Sequence, residues 1–167
     1  RIGYGCTGIW HDNHVEGLKK ITKIFKNYNC RSGIQLAHAG RKASFLRPWD
    51  GAKPIETDEG YEKKWQTIGP SPIPVNSGTP VPLEMSQDDI NRVKEDFKKA
   101  ALRSIKAGFD MIEVHGAHGY LLHSFFSPLS NNRNDKYGGS LENRMRLGIE
   151  VVRSIKSILP DNIPLFF

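Results

Sequence analysis

The sequence predicts an α/β fold with parallel strands, on three observations. Short apolar runs alternate with long amphipathic ones. The amphipathic runs are long enough to cross over a sheet. The apolar runs are near-continuous, as in strands buried on both faces, and lack the alternation of a strand with one wet side.

Each element can be justified in chain order. From Asn13 to Tyr28, apolar residues fall at Val15, Leu18, Ile21, Phe25 and Tyr28, the spacing of one helical face, with Asp12 placed to cap its start. "GIQLAH", Gly33 to His38, is short and apolar and reads as a buried strand. A second helix is predicted from Ser86 to Gly108. Its apolar set is Ile90, Val93, Phe97, Ala101 and Ile105, with Ser86 as cap, acidic residues in the first turn and a glycine to end it. "FDMIEVH", Phe109 to His115, is the next strand. A third helix runs from about Leu141 to Ile158, capped by Ser140 and closed before Pro160, and "IPLFF" opens a third strand.

The β–α–β–α–β order fits a doubly wound sheet and a (β/α)₈ barrel alike. No GxGxxG fingerprint follows any strand, which weakens the nucleotide-binding doubly wound option. In both folds functional groups gather where strands end and loops begin. Gln35, His38, His115, His118 and Tyr120 all lie at or just past such ends. Between His38 and Ser86 a proline-rich stretch with Trp49 and Trp65 shows no clear period. A connection of that length is usually functional or disordered, and its aromatics and turn residues favour an ordered cover over the face that carries the histidines.

Bulk properties narrow the class. The chain has 167 residues, 38% hydrophobic and 25% charged, enough for one ordinary domain. No apolar run approaches a membrane span, and no signal-peptide pattern opens the chain, so no membrane partner is expected. The first residue is Arg1, and the natural amino terminus is expected upstream. The two cysteines, Cys6 and Cys30, form no CxxC motif, and a reduced cytoplasmic setting is the default. The net charge of +6 suits anionic ligands such as nucleotides, but the lysines are scattered or lie on helix faces. They read as solvated surface, and no nucleic-acid partner is expected.

Three readings compete for His115, His118, Tyr120 and His123. A metal site would want three or four ligands at familiar spacings, with His11, His14 or a cysteine joining. HGAH instead straddles a strand end and a glycine turn with no carboxylate in place, so no metal is expected. Packing explains His123, whose ring can serve neighbouring backbone, but burying several polar tips together is costly unless each finds a partner. The third reading is substrate binding. Two imidazole N–H groups make a neutral double donor for an oxygen that gains negative charge. A tyrosine, with a reference pKa of about 10, can deliver a proton to a carbanion-like carbon. Such a set suits an activated alkene, provided a redox cofactor supplies the hydride.

"IQLAHAGRKA", "AGFDMIEVHGAHGYLLHSFFSPLSNNRNDKYGGSLENR" and "PLFF" resemble the Old Yellow Enzyme family of FMN-dependent ene-reductases, and the likeness begins at "GIWHDNHVEGLKKI". His118, where the yeast and plant branch has asparagine, places the chain nearer the thermophilic-like branch. The resemblance implies a TIM (β/α)₈ barrel with non-covalent FMN, reduced by NADPH or NADH, acting on a small-molecule activated alkene such as an α,β-unsaturated ketone. It implies that His115 and His118 bind the substrate's activating oxygen, that Tyr120 protonates the α-carbon, and that Gln35 meets the flavin's pyrimidine edge. From the residues alone, Gln35 would be read as a satisfied polar group at a strand end. His38 and Arg41 are given loop-anchoring roles. In "NNRNDKYGGSLENR", Arg133, Asp135, Glu142 and Arg144 are expected to form an ion-pair network, with Gly138 and Gly139 supplying unusual backbone angles. Gly116 and the run Ser124-Phe125-Phe126 depart from the family pattern without removing a catalytic role.

Length limits the resemblance. A TIM barrel typically needs about 250 residues. One partial barrel domain is therefore expected over 1–167, covering about strands 3 to 5, with a long loop at about 39–85. By the family pattern the chain starts after the second strand and ends inside the fifth. The first-strand flavin contacts, the late phosphate-binding loops, an arginine beyond Phe167 and a substrate-contacting tyrosine near the amino terminus then lie elsewhere. The alternatives are a truncated, catalytically incomplete chain that acts only as an association module, or a metal-binding protein built on the histidine cluster. Open strand edges favour association, a homo-oligomer included.

Overall fold

The computed structural model describes residues 1–167, in two compact units. One unit comprises Gly8–Leu36, Asp88–His115 and Gly148–Phe167. It carries helix α1 (His14–Asn27), strand β1 (Gly33–Leu36) and most of helix α2 (Gln87–Ala107). Strand β4 (Met111–Val114), the later part of helix α4 (Leu141–Lys156) and strand β5 (Leu165–Phe166) complete it. The three strands form one sheet in the order β1-β4-β5, parallel throughout. Gly33 pairs with Met111 and Gln35 with Glu113, which in turn faces Phe166. Leu36, Ile112 and Val114 are buried, whereas Gln35, Glu113 and Phe166 are exposed, so the sheet has an apolar side and an open side.

The predicted helices form, with physical corrections at their faces and ends. α2 buries Ile90, Val93, Phe97 and Ala101 as expected. Ile105 is only half-buried, and Ser104 takes the core position by donating its hydroxyl to the Ala100 carbonyl at 2.8 Å. Gly108, at φ +86°, ends the helix in a Schellman turn, with Gly108 N–H bonded to Ile105 O and Phe109 N–H to Ser104 O.

α1 differs more. It buries Val15, Leu18 and Thr22, while Ile21, Phe25 and Tyr28 stay exposed. Thr22 holds its place by donating to the Ala107 carbonyl at 2.6 Å. Val15 and Leu18 join Ala107 and Phe109 in a small core, with Ile9 and Ile34 against it. Each such side chain, fully buried, contributes about 1.5–3 kcal/mol. Asp12 is not the cap. Asn13 occupies that position without a side-chain bond, and Asp12 instead accepts from Arg103 at 2.7 Å.

The second unit comprises Arg1–Thr7, Ala37–Gln87 and Gly116–Leu147. The stretch between 39 and 85 is built from two single-turn 3₁₀ helices, at Gly40–Lys42 and Pro48–Asp50, and two short strands. Strand β2 (Ile68–Gly69) pairs in parallel with β3 (Leu83–Glu84), and Phe45 bridges to Pro54. Helix α3 (Leu121–Phe126) follows Tyr120. Arg133 ties the unit together: its guanidinium donates to the carbonyls of Pro70 (3.1 Å) and Met85 (2.7 Å) and to both oxygens of Asp135. The expected network is narrower than predicted. Glu142 forms no ion pair, and Arg144 donates to the carbonyls of Phe126 and Gly139 instead of a carboxylate. A Cβ on Gly138 would lie 2.1 Å from the Arg133 carbonyl oxygen, which excludes a side chain there, and Gly139 has φ +77°, which favours glycine. No helix is long and apolar enough to cross a membrane.

Candidate active site

The residues singled out from the sequence fall into two groups, each within its own unit. Gln35 and His115 lie at the carboxyl ends of adjacent parallel strands. The His115 N–H extends the ladder by donating to Leu36 O at 2.8 Å. Side chains alternate along a strand, so His115 follows Met111 and Glu113 on the side shared with Gly33 and Gln35. His115 is buried, 9% exposed, while Gln35 is open to solvent. Glu113, in register with Gln35, puts a carboxylate on the same open side. It was not singled out from the sequence, although counting back by two from His115 would have found it.

His118 and Tyr120 belong to the other unit, on the turn before α3. His118 is a non-glycine residue at φ +56°, followed by Gly119 at φ +72°. A left-handed non-glycine residue costs about 1–3 kcal/mol and persists where surrounding contacts hold it. Here Lys42 Nζ donates to the His118 carbonyl at 2.7 Å and sits 5.6 Å from the centre of the Tyr120 ring. His123 Nδ1 accepts from the Gly119 N–H at 2.7 Å, which commits that ring to the turn. The "HAGRKA" loop supports the turn from the other side. His38 O accepts from Leu121 N–H at 3.0 Å, and His38 Nδ1 accepts from Gly40 N–H at 3.0 Å. Arg41 reaches the carbonyls of Ile73 (3.1 Å) and Pro74 (2.9 Å), a loop-anchoring contact. Lys42 had no signal in the sequence beyond its place in that motif, since its partner lies 76 positions away.

The shifted ionisations belong to architecture. Hydrogen bonds from Arg133 hold the Asp135 carboxyl below the usual carboxylate range, and the Ser32 backbone N–H, then Arg31, do the same for Asp110. No three His, Cys, Asp or Glu side chains gather in a metal-ligating arrangement.

The exposed Gln35 amide offers a donor and an acceptor in one plane. The strand-end placement of Gln35 and His115 is where parallel α/β folds seat their ligands.

Comparison with known proteins places this arrangement. The model of the NADH:flavin oxidoreductase / NADH oxidase family matches residues 3–163. An NADH:flavin oxidoreductase of Gibberella zeae is 45% identical over 99% of this chain and 40% of its own length. An NADPH dehydrogenase of Bacillus licheniformis is 46% identical over 95% of this chain and 41% of its own. Among solved structures, morphinone reductase superposes with a TM-score of 0.78 at 30% identity, covering 95% of this chain and 43% of that one. An Old Yellow Enzyme from Pichia sp. superposes at 0.76 with 34% identity, covering 94% and 40%. The chain spans about two fifths of the length of the curated relatives it matches. Its parallel strands and crossover helices are therefore part of a TIM (β/α)₈ barrel, and the chain belongs to the NADH:flavin oxidoreductase / NADH oxidase family, the family of the Old Yellow Enzymes.

Proposed function

We propose that the protein is an FMN-dependent oxidoreductase that reduces activated C=C bonds of α,β-unsaturated carbonyl compounds, with NADPH or NADH as reductant. A partial TIM-barrel FMN oxidoreductase domain runs through residues 1–167, with a long loop at about 39–85. The observation that carries the reading is the placement of Gln35 and His115 toward the carboxyl ends of the adjacent parallel strands β1 and β4, in a chain of this family. A morphinone reductase of the same fold has been solved with tetrahydroNAD, which supports a nicotinamide reductant.

In this reading FMN, once reduced, supplies the hydride that reaches the β-carbon of the alkene. The chain's own residues do the rest. Gln35 hydrogen-bonds the flavin's pyrimidine edge and fixes its orientation. His115 and His118 donate to the substrate's carbonyl oxygen and stabilise the negative charge that builds there. Tyr120 gives its phenolic proton to the α-carbon, so that the C=C bond becomes a single bond. His118, a histidine at this position, supports assignment to the thermophilic-like branch.

Rapid-mixing kinetics of the FMN-loaded protein, with the two half-reactions separated, test this. Tyr120→Phe is expected to slow alkene reduction by about 10²–10⁴-fold, the usual worth of a positioned acid, and to spare flavin reduction by nicotinamide. His115→Ala is expected to weaken binding of phenol-like ligands. Equal loss in both half-reactions, or unchanged phenol affinity, would count against these roles.

A further inference from the structure

We propose that Glu113 is a positioning residue for the Gln35 amide: its carboxylate accepts one N–H of that amide and thereby fixes which end of it meets the flavin. The inference rests on Gln35 being the residue that meets the flavin's pyrimidine edge.

Register and side-chain length bring the two groups together. Gln35 on β1 and Glu113 on β4 are Cα partners in a parallel pair within one unit, and neighbouring strands run about 4.8 Å apart. Both residues are exposed on the open side of the sheet. Glutamine and glutamate carry the same number of carbons, so from equal height they bring amide and carboxylate level with each other.

The other neighbours on this side are poorer partners for a carboxylate, which can only accept. Phe166, the Cα partner of Glu113 on β5, has no donor in its side chain. Met111, two residues back along β4, offers a thioether sulfur and nothing to donate. His115 stands two residues on, about 6.6 Å along the strand and so further than Gln35.

The surroundings make a partner necessary. Ile34, which points the opposite way from Gln35, packs against the core of Val15, Leu18, Ala107 and Phe109. That is the helix side of the sheet. In a TIM barrel the helices lie outside, so the open side with Gln35 and Glu113 faces the interior. A carboxylate there loses water, which is costly unless a donor replaces it. An amide N–H is such a donor, and hydrogen bonds to a charged acceptor are the stronger kind.

The bond has a consequence for the flavin. A side-chain amide has an oxygen acceptor at one end and two N–H donors at the other, in nearly the same shape. The carboxylate selects the nitrogen end and takes the N–H that points away from the amide oxygen. The oxygen and the second N–H, which lie side by side, are left for a two-point contact with the ring edge. A reversed amide would set its oxygen against the carboxylate.

The experiment titrates FMN into the flavin-free protein and follows flavin fluorescence, with no alkene or nicotinamide present. Glu113→Met removes the acceptor. The Gln35 amide then samples both ends and several staggered rotamers, and apparent affinity falls with the fraction that is competent, about tenfold. Glu113→Gln keeps a hydrogen-bonding partner that accepts either end, and is expected to weaken FMN binding only about twofold. Gln35→Met is expected to weaken it about tenfold by itself. In that background neither Glu113 substitution should have a further effect, because Glu113 acts through Gln35. Losses that multiply in the double variants, or FMN binding that is unchanged or tighter in Glu113→Met, would overturn the proposal while leaving Gln35 as a flavin ligand. Unchanged binding in Gln35→Met would overturn the flavin role of Gln35, and the proposal with it.

Discussion

Lys42 Nζ donates to the carbonyl oxygen of His118 at 2.7 Å, so that a side chain of the "HAGRKA" loop grips the backbone of the histidine turn. The gripped residue is left-handed, at φ +56°, and a Cβ on the next residue, Gly119, would meet Lys42 Cε and Nζ at 3.2 Å. Lys42 is thus a positioning residue for His118 and Tyr120. Lys42→Met keeps the aliphatic stem and removes the donor. Folding stability is expected to fall by about 1 kcal/mol, the net worth of one hydrogen bond. Alkene reduction is expected to slow about tenfold, since small displacements of a positioned group cost rate, with flavin reduction by nicotinamide little changed. Equal slowing of both half-reactions in rapid-mixing kinetics would show that Lys42 serves only the fold.

The fold's frame was legible wherever periodicity ran over several turns. Helices α2 and α4 and the three parallel strands follow directly from the spacing of apolar residues. What escaped was short or non-local. Helix α3 has six residues, and β2 and β3 have two each, too few to display a period. On α1, the buried face turned on Thr22, whose hydroxyl satisfies the Ala107 carbonyl 85 positions away, and no local pattern announces such a bond. Asp12 failed as a cap for the same reason, because Arg103 drew it elsewhere. At the site, the histidines and Tyr120 were visible as a cluster of polar tips at a strand end. The Lys42 contact depends on a loop distant in sequence.

The Arg133 guanidinium has a side chain only 6% exposed and donates to two backbone carbonyls as well as to Asp135. Removing it leaves those carbonyls without a donor that a shorter or neutral chain can replace. Arg133→Met is expected to destabilise by about 3 kcal/mol, the scale for breaking a buried ion pair. Arg133→Lys should restore little, because an ammonium cannot reproduce the planar fork. Asp135, with its side chain 45% exposed, should matter less: Asp135→Asn is expected to cost about 1 kcal/mol or below. Urea denaturation monitored by circular dichroism would decide, and a larger loss for Asp135→Asn than for Arg133→Met would reverse this ranking.

Acid should unfold the protein through Asp110 and Asp135. Both carboxyls are held below the ordinary range, Asp110 mainly by the Ser32 backbone N–H and Asp135 mainly by Arg133. A carboxyl with a lower pKa in the folded state binds fewer protons there than in the unfolded chain. The stabilisation is therefore complete above the unfolded pKa of about 4 and is lost as pH falls through the depressed folded value. The urea midpoint is expected to be level from about pH 7 to 5 and to drop below about pH 4. Asp110→Asn should flatten part of that drop. Arg31→Ala should alter it little, because the Arg31 side chain is 82% exposed. A midpoint that rises on acidification would contradict the assignment.

Gly40 separates backbone strain from steric contact. It has φ +58°, and a Cβ there would lie 2.9 Å from Leu121 Cα and 3.1 Å from Leu121 N. That nitrogen donates to His38 O at 3.0 Å, the bond that sets the start of α3 immediately after Tyr120. Gly139 has a similar angle, φ +77°, but nothing within 4 Å of the added carbon. Gly139→Ala therefore introduces only the left-handed strain, about 1 kcal/mol. Gly40→Ala adds displacement of backbone that cannot yield without moving Tyr120, and is expected to cost about 2–3 kcal/mol in total. The two variants should also differ in activity. Gly40→Ala should slow the alkene half-reaction more than its loss of stability explains at temperatures where it remains folded, and Gly139→Ala should not. Equal destabilisation by the two, together with unchanged alkene reduction in Gly40→Ala, would mean that the contact between the "HAGRKA" loop and Leu121 does not hold Tyr120 in place.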